Sequence, residues 1–339
     1  MHIEKNKAIY IILNSWFVAA ISAFESNDRG DEMGAVRGNR GTLRARMWKA
    51  RYYYLLILPT IVYFIIVAYL PFAGLQIAFK DFQIYKGIMA SPWVGFKHFV
   101  EVFTSVKFPQ LLENTLLISL YRLIFGFPVP ILFALLLNEV RHLWFKKTIQ
   151  TVTYFPHFLS WVVFAGIVFN FIGPLGIVNL FLRDLGLEPI NFLTTPEYFR
   201  SILVLTGILK EFGWGAIIYL AALAGLDPQL YEAAKIDGAA KLRQIWHITL
   251  PGLRSTIVLL FILQLGHILD AGFDQVFMLY NGAVLQVADI IDTYVYRVGL
   301  LEAQYEMATV VGLFKGFVGM VLIVTANKII RRLGEKSLW

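Results

Sequence analysis

The sequence predicts an all-α polytopic membrane protein with a core of six spans. Three observations predict it. Apolar residues make up 58% of the chain and charged residues only 16%, whereas a soluble domain is nearer half apolar and a quarter charged. Six separate stretches reach the roughly 20 apolar residues that cross a bilayer. Basic residues collect at alternate span ends, as they do on the cytoplasmic side of a membrane. Phe occurs 28 times, and the Trp and Tyr residues suit interfacial belts. The 339 residues include no Cys, which excludes disulfides, thiolate nucleophiles and Cys-ligated zinc. Net charge is +7, but no basic stripe lies on a soluble face, which argues against nucleic acid.

The N-terminal part, 1–51, reads as an apolar segment, Ala8 to Phe24, followed by a basic linker rich in Gly, Asp and Arg. The apolar segment is compatible with a seventh span, an uncleaved anchor or a surface helix; a surface or loosely held segment is preferred. Residues 52–335 form the transmembrane domain. Spans are expected near Tyr53–Ala73, Thr115–Leu137, Val152–Ile172, Ile202–Leu223, Leu253–Gln275 and Met307–Ala326. Arg37 to Arg51 precede the first span, Arg141, Lys146 and Lys147 follow the second, Lys235, Lys241, Arg243 and Arg254 follow the fourth, and Lys328 to Lys336 follow the sixth. These groups share one side, so the loop after span four and the C-terminus are expected in the cytoplasm. Between spans one and two, aromatic and polar residues alternate through Gln76–Phe82 and Ser91–Phe99, suggesting an ordered interfacial segment. Gly126-Phe-Pro-Val-Pro130 should kink span two.

Polar residues inside spans usually face a cavity or a partner. Gln264, His267, Asp270 and Asp274, at steps of three, three and four, would share one face of span five and look toward a water-filled route. The alternative is that Asp270 and Asp274 are simply wet at its outer end. Trp161, Trp214 and Asn170 could serve a sugar through ring faces and an amide, although aromatics in so Phe-rich a chain more often pack. Lys210 and Glu211 are adjacent and expected to diverge, while Arg122 and Lys315 should pair with carboxylates of the bundle or snorkel. His157 and His247 read as interfacial, without metal-ligand spacing.

The segment 226–251 carries the most information. Asp227 can cap a helix and Pro228 suits its first turn; Gly238 permits a sharp break before a second short helix. A helix–break–helix unit between two spans makes a rigid knob on the membrane surface. Its pattern is Glu232-Ala233-Ala234, three residues, Gly238, nine residues, Ile248, one residue, Leu250-Pro251, with Asp237 just before the break. This resembles the conserved loop of the membrane subunits of ABC importers and matches every position of that signature. Further phrases, among them Ile77-Ala-Phe-Lys-Asp-Phe, Tyr154-Phe-Pro-His-Phe-Leu-Ser-Trp and Asp292-Thr-Tyr-Val-Tyr-Arg-Val-Gly-Leu, extend the resemblance over roughly Tyr52 to Leu333, toward the maltose-importer-like permeases for larger oligosaccharides.

The resemblance implies the type I ABC importer permease fold in a bacterial inner membrane. It also implies partners: a second permease, expected as a heterodimer, two ATPase subunits and an external solute-binding protein. The matching Glu of the family pairs with a basic residue of the ATPase subunit. No cofactor is expected in this chain. ATP and Mg would belong to the ATPase subunits, because no phosphate-cradling Gly-x4-Gly-Lys-Ser/Thr loop is present and the Gly-rich tract Gly34–Gly41 lacks its Lys-Ser/Thr ending. The chain is thus expected to be a transport subunit and no enzyme, with an oligosaccharide, a uronate chain such as alginate included, as cargo. An ion-gradient-driven transporter using Asp270 is the alternative; a membrane glycosyl transferase would need more than the weak outer-loop pair Asp289 and Asp292.

Overall fold

The computed structural model describes residue 48 and residues 50–332. The stretch Ala8–Phe24, most of the linker after it and the residues from 333 onward lie outside these. The described residues are almost entirely helical, and the Lys80–Trp93 bridge is the one β pairing among them. Six helical stretches are long and apolar enough to cross a membrane: Arg51–Phe79, Lys107–Asn138, Trp161–Asp184, Pro196–Ala224, Lys241–Gly266 and Tyr305–Arg332.

The chain divides into two compact units after Gln76. The first unit carries helix α1 (Arg51–Tyr63), which continues through a π turn at Phe64–Tyr69. Leu55, Ile57, Leu58, Ile65 and Ile66 are all exposed, which suits a helix whose solvent is lipid.

The second unit begins with an ordered, internally hydrogen-bonded segment. Lys80 donates to the carbonyls of Ile88 and Met89, at 2.7 and 3.3 Å, and sits over the Trp93 ring. His98 on α2 (Lys97–Thr104) contacts the Lys80 carbonyl at 3.2 Å. Then come α3 (Lys107–Tyr121), α4 (Pro128–Asn138), α5 (Leu143–Phe158), α6 (Trp161–Ile172), α7 (Ile177–Asp184) and α8 (Pro196–Ala224). They are followed by α9 (Pro228–Ile236), α10 (Lys241–Gln244), α11 (Leu250–Gly266), α12 (Phe273–Leu279), α13 (Ile291–Tyr294) and α14 (Tyr305–Arg332). The core lies along α8. Ile118, Phe164, Val168, Phe199, Leu203, Val276 and Leu279 join α3, α6, α8 and α12 in one apolar cluster. Ala134, Leu135, Ala216, Tyr219 and Leu253 join α4, α8 and α11 in another.

Prolines mark three of the four π turns among the described residues, the fourth being Val295–Leu301. A proline at position n lacks the N–H and clashes with the carbonyl of n−4, so the preceding turn widens from an i−4 to an i−5 bond. Three π turns run up to a proline in this way: Phe64–Tyr69 before Pro71, Arg122–Gly126 before Pro128, and Ile245–Thr249 before Pro251. The kink expected at Gly126–Pro130 therefore takes the form of a π turn.

Two span boundaries differ from the sequence reading. Span three does not run unbroken from Val152. Helix α5 ends at Phe158, and the Ser160 hydroxyl accepts from the Val163 N–H at 3.3 Å to start α6 afresh. Span five stops at Gly266, well before Gln275, because the chain turns through Gly272 at φ +82 to begin α12.

Helix crossings rest on small residues, as lipid-embedded interfaces require. A Cβ on Gly213 of α8 would sit 2.6 Å from the Thr153 carbonyl carbon of α5 and clash with its oxygen. Gly213→Ala is therefore expected to force the two helices apart at a cost of about 1–3 kcal/mol, read as a lowered Tm of the purified complex in detergent; an unchanged Tm would show that the crossing can relax.

Candidate functional site

The knob forms as its capping residues dictate. Asp227 accepts from the Gln229 N–H at 2.9 Å, with Pro228 at the first helical position of α9. At the other end Gly238 adopts φ +71, its N–H bonds the Lys235 carbonyl at 3.1 Å and the Ala239 N–H bonds the Ala234 carbonyl at 2.8 Å. This is a Schellman stop, and the left-handed residue is a glycine because only glycine adopts that backbone without strain. Ala240 then begins α10.

Two contacts fasten the knob to the joint and the bundle, and a third braces it internally. The Tyr231 and Thr249 hydroxyls meet at 3.0 Å, Gln244 Nε2 donates to the Ala239 carbonyl at 2.8 Å, and Lys241 pairs with Glu139 at the end of span two at 2.7 Å. Thr249 lies in the π turn that Pro251 produces, while Ile248 and Leu250 are partly buried and Leu250 packs against the α4–α8–α11 cluster. Pro251 thus shapes the joint between knob and span. The opposite face is bare. Glu232, Ala233, Asp237 and Gly238 are exposed, Ala234 is partly so, and Ile236 is 87% exposed. Glu232 has no hydrogen-bond or ion-pair partner among the described residues. Tyr231 is partly buried and turns toward Thr249, while Leu230 and Ile236 stay exposed.

The second assembly is a cavity of about 460 Å³ walled by spans two, four and five with the start of α6. Trp161, Trp214, Gln264 and His267 line it, together with Arg122, Glu211, Tyr219 and Gln275. Asn170 and Asp274 are exposed elsewhere and do not reach it. The single helical face expected for Gln264, His267, Asp270 and Asp274 does not exist, because the helix ends at Gly266. Asp270 instead accepts from His267 at 2.9 Å and pairs with Lys315 of α14, beside the neighbouring groove bordered by Gly312 and Gly316.

Charges around the cavity are organised by the break between α5 and α6. Lys210 donates to the freed carbonyls of Pro156 and His157, at 3.2 and 2.8 Å, and sits 5.3 Å from the Trp161 ring centre. A cation at a helix C-terminus satisfies carbonyls that lack helical partners. Glu211 holds His157 at 2.7 Å and Lys210 at 3.4 Å. The adjacent pair does meet, contrary to expectation, because the long Lys210 side chain reaches to the helix break that also brings His157 near. The His157 ring stacks on Trp214 at 4.4 Å with the planes within 1°, so His157 packs against span four.

Lys315 bridges Asp270 and Asp292, the latter at 2.6 Å, and Arg297 donates to Asp289 at 2.6 and 3.3 Å. The Asp289 hydrogen bond holds the Arg297 guanidinium above its usual pKa. Asp289 and Asp292 are each paired with a different cation.

Sequence reading missed Gln275 and the support it gives. Its Nε2 donates to the Leu203 carbonyl at 2.7 Å and to Thr206 at 2.6 Å, and its Oε1 accepts from Arg122. Arg122 was expected to pair with a carboxylate or to snorkel, and it meets this amide instead. The available signal was a lone Gln after a glycine break, which is indistinguishable from a surface amide without coordinates.

Residues 126–336 match the family described as the binding-protein-dependent transport system inner membrane component. The chain belongs to this family. It is a multi-pass permease subunit of a binding-protein-dependent transporter. Over 301 residues it is 47% identical to the polygalacturonan/rhamnogalacturonan transport system permease protein YteP of Bacillus subtilis strain 168, covering 88% of this chain and 94% of that one. Protein LplB of the same organism is 45% identical over 296 residues, covering 87% and 93%. Among solved structures, a chain of a bacterial alginate ABC transporter, in complex with an alginate pentasaccharide-bound periplasmic protein, superposes with a TM-score of 0.81 at 41% identity. That alignment covers 88% of this chain and all of that one.

Proposed function

We propose that this permease, through its 52–335 domain, forms the import route for a uronate-bearing oligosaccharide together with a second permease, and that its knob couples the route to two ATPase subunits. The observation that carries the coupling is the knob's two-sided design. One side is fastened to span five, to span two and to the π turn at Pro251; the other presents the exposed Glu232, Ala233 and Asp237 with the Gly238 turn between two short helices. Small residues let a partner backbone come close, and an unpaired carboxylate suits a basic partner. Closure of an ATPase dimer would push on Glu232–Gly238, and the fastenings would carry that push into span five. Coupling of this kind needs ATP and sugar each to favour different states of the bundle. ATP and Mg bind the ATPase subunits, and the knob and C-terminus lie in the cytoplasm.

The sugar reading rests on the relatives, whose names refer to galacturonan, rhamnogalacturonan and alginate transport, and on a cavity with two Trp rings, an amide and an imidazole on its wall. Gln264, His267, Trp161 and Trp214 are the residues placed to touch it. The test is uptake of acidic oligosaccharides into proteoliposomes holding both permeases, the ATPase subunits and a binding protein. Uptake that needs internal ATP supports the reading; uptake that survives removal of the ATPase subunits but collapses with an ionophore would sink it and favour an ion-driven carrier.

A further inference from the structure

We infer that Arg122 binds a carboxylate of the transported sugar and so makes the cavity select uronate-bearing chains over neutral ones; the inference rests on the transport route proposed above. An arginine in the middle of a span is costly and is normally held by an acid or faces water. Arg122 stands in the π turn of span two and lines the cavity. No carboxylate lies within ion-pair distance of it among the described residues. Glu211, on the same wall, is taken up by His157 and Lys210. Of the five N–H donors of a guanidinium, only one is engaged, by the neutral amide of Gln275. The Nε atom is buried without a partner, so the protein leaves the guanidinium incompletely satisfied.

The guanidinium is nonetheless held firmly. Gln275 is locked by Leu203 and Thr206. Gly272 packs so close that a Cβ there would lie 2.7 Å from Arg122 Nη2. A donor fork fixed in place loses little freedom on pairing, and carboxylate is the anion its planar geometry fits. Trp161 and Trp214 on the same cavity supply ring faces for sugar C–H surfaces. A neutral sugar of equal size would fill the space and leave the cation uncompensated, which is how a site built for a polar partner rejects its lacking analogue.

The competing role for Arg122 is a tether joining α12 to span two, and the test must separate the two. The assay is proteoliposome uptake by the complete importer of a galacturonate trisaccharide and of its carboxyl-reduced counterpart, each at a concentration that saturates the binding protein. Arg122→Gln removes the charge. Gln275→Glu keeps Arg122 and supplies it with an internal carboxylate. Both variants are expected to lower the acidic-to-neutral uptake ratio about tenfold or more. Equal loss for both sugars with a lowered Tm would reduce Arg122 to a tether, and an unchanged ratio would remove it from the route. If the wild-type importer takes up only the neutral sugar, the substrate reading and this inference fall together, a result told apart by its appearance in the wild type.

Discussion

Gly238→Pro is expected to abolish ATP-driven uptake while leaving the permease inserted in the membrane. The residue sits at φ +71 with open space around it, so bulk is not the difficulty. Proline fixes φ near −65° and removes the N–H that bonds the Lys235 carbonyl at 3.1 Å. It also disfavours the helical backbone of the residue before it, and Asp237 is held near φ −74, ψ 4. The Schellman stop cannot form, and the angle between α9 and α10 is lost. Gly238→Ala serves as the graded control, since a left-handed L-residue costs roughly 1–2 kcal/mol without losing the N–H. The expected order of uptake is wild type, then Ala, then Pro near background. Retention of ATPase subunits on a tagged permease should fall in the same order. Glu232→Lys should weaken that retention with the knob's shape unchanged, since Glu232 is exposed and touches nothing described. Full retention and uptake in both Gly238→Pro and Glu232→Lys would remove the knob from the coupling path.

Lys315→Met carries the second large effect, on stability. The ammonium of α14 bridges Asp270, beyond the end of α11, and Asp292 of α13. Removing it leaves Asp292 without its cation and Asp270 with His267 alone. Breaking a buried pair from one side costs roughly 3–5 kcal/mol; Lys315 retains 23% side-chain exposure, so a loss of about 2–3 kcal/mol is the expectation. The Asp270→Asn/Asp292→Asn/Lys315→Met triple variant should recover much of it, because the charges then vanish together. A single variant that melts like the wild type, or a triple variant no better than the single, would show that the bridge does not hold α14 to α13. Stability should also fall as pH drops far enough to protonate Asp270, whose carboxyl is held below its usual range because burial raises it less than the hydrogen bonds from Lys315 and His267 lower it.

Much of the knob was legible along the chain because its determinants are local. Asp227, Pro228 and Gly238 act on bonds within four residues of themselves, and the structure places each in the cap or turn that its chemistry calls for. The cavity was legible only in part. Trp161, Trp214, Gln264 and His267 do meet there, yet the rule that gathered Asp270 and Asp274 with them assumed an unbroken helix. That helix stops at Gly266, where hydropathy alone gives no stop signal. The Lys210–Glu211–His157 cluster was hidden for a different reason: its members are joined by a helix break 53 or 54 residues away in sequence.

By itself, the sequence determined the six spans and the shape of the knob. Apolar length and a handful of cap residues act through neighbours a turn or less apart, so no tertiary contact is needed to read them. Only the packed structure decided which polar groups are satisfied inside the bundle. Arg122 found an amide and not an acid, Lys210 found two freed carbonyls, and Lys315 found two acids. Each outcome depends on where distant helices break and cross, and in a low-dielectric interior those contacts, not residue type, set what a charge is free to bind.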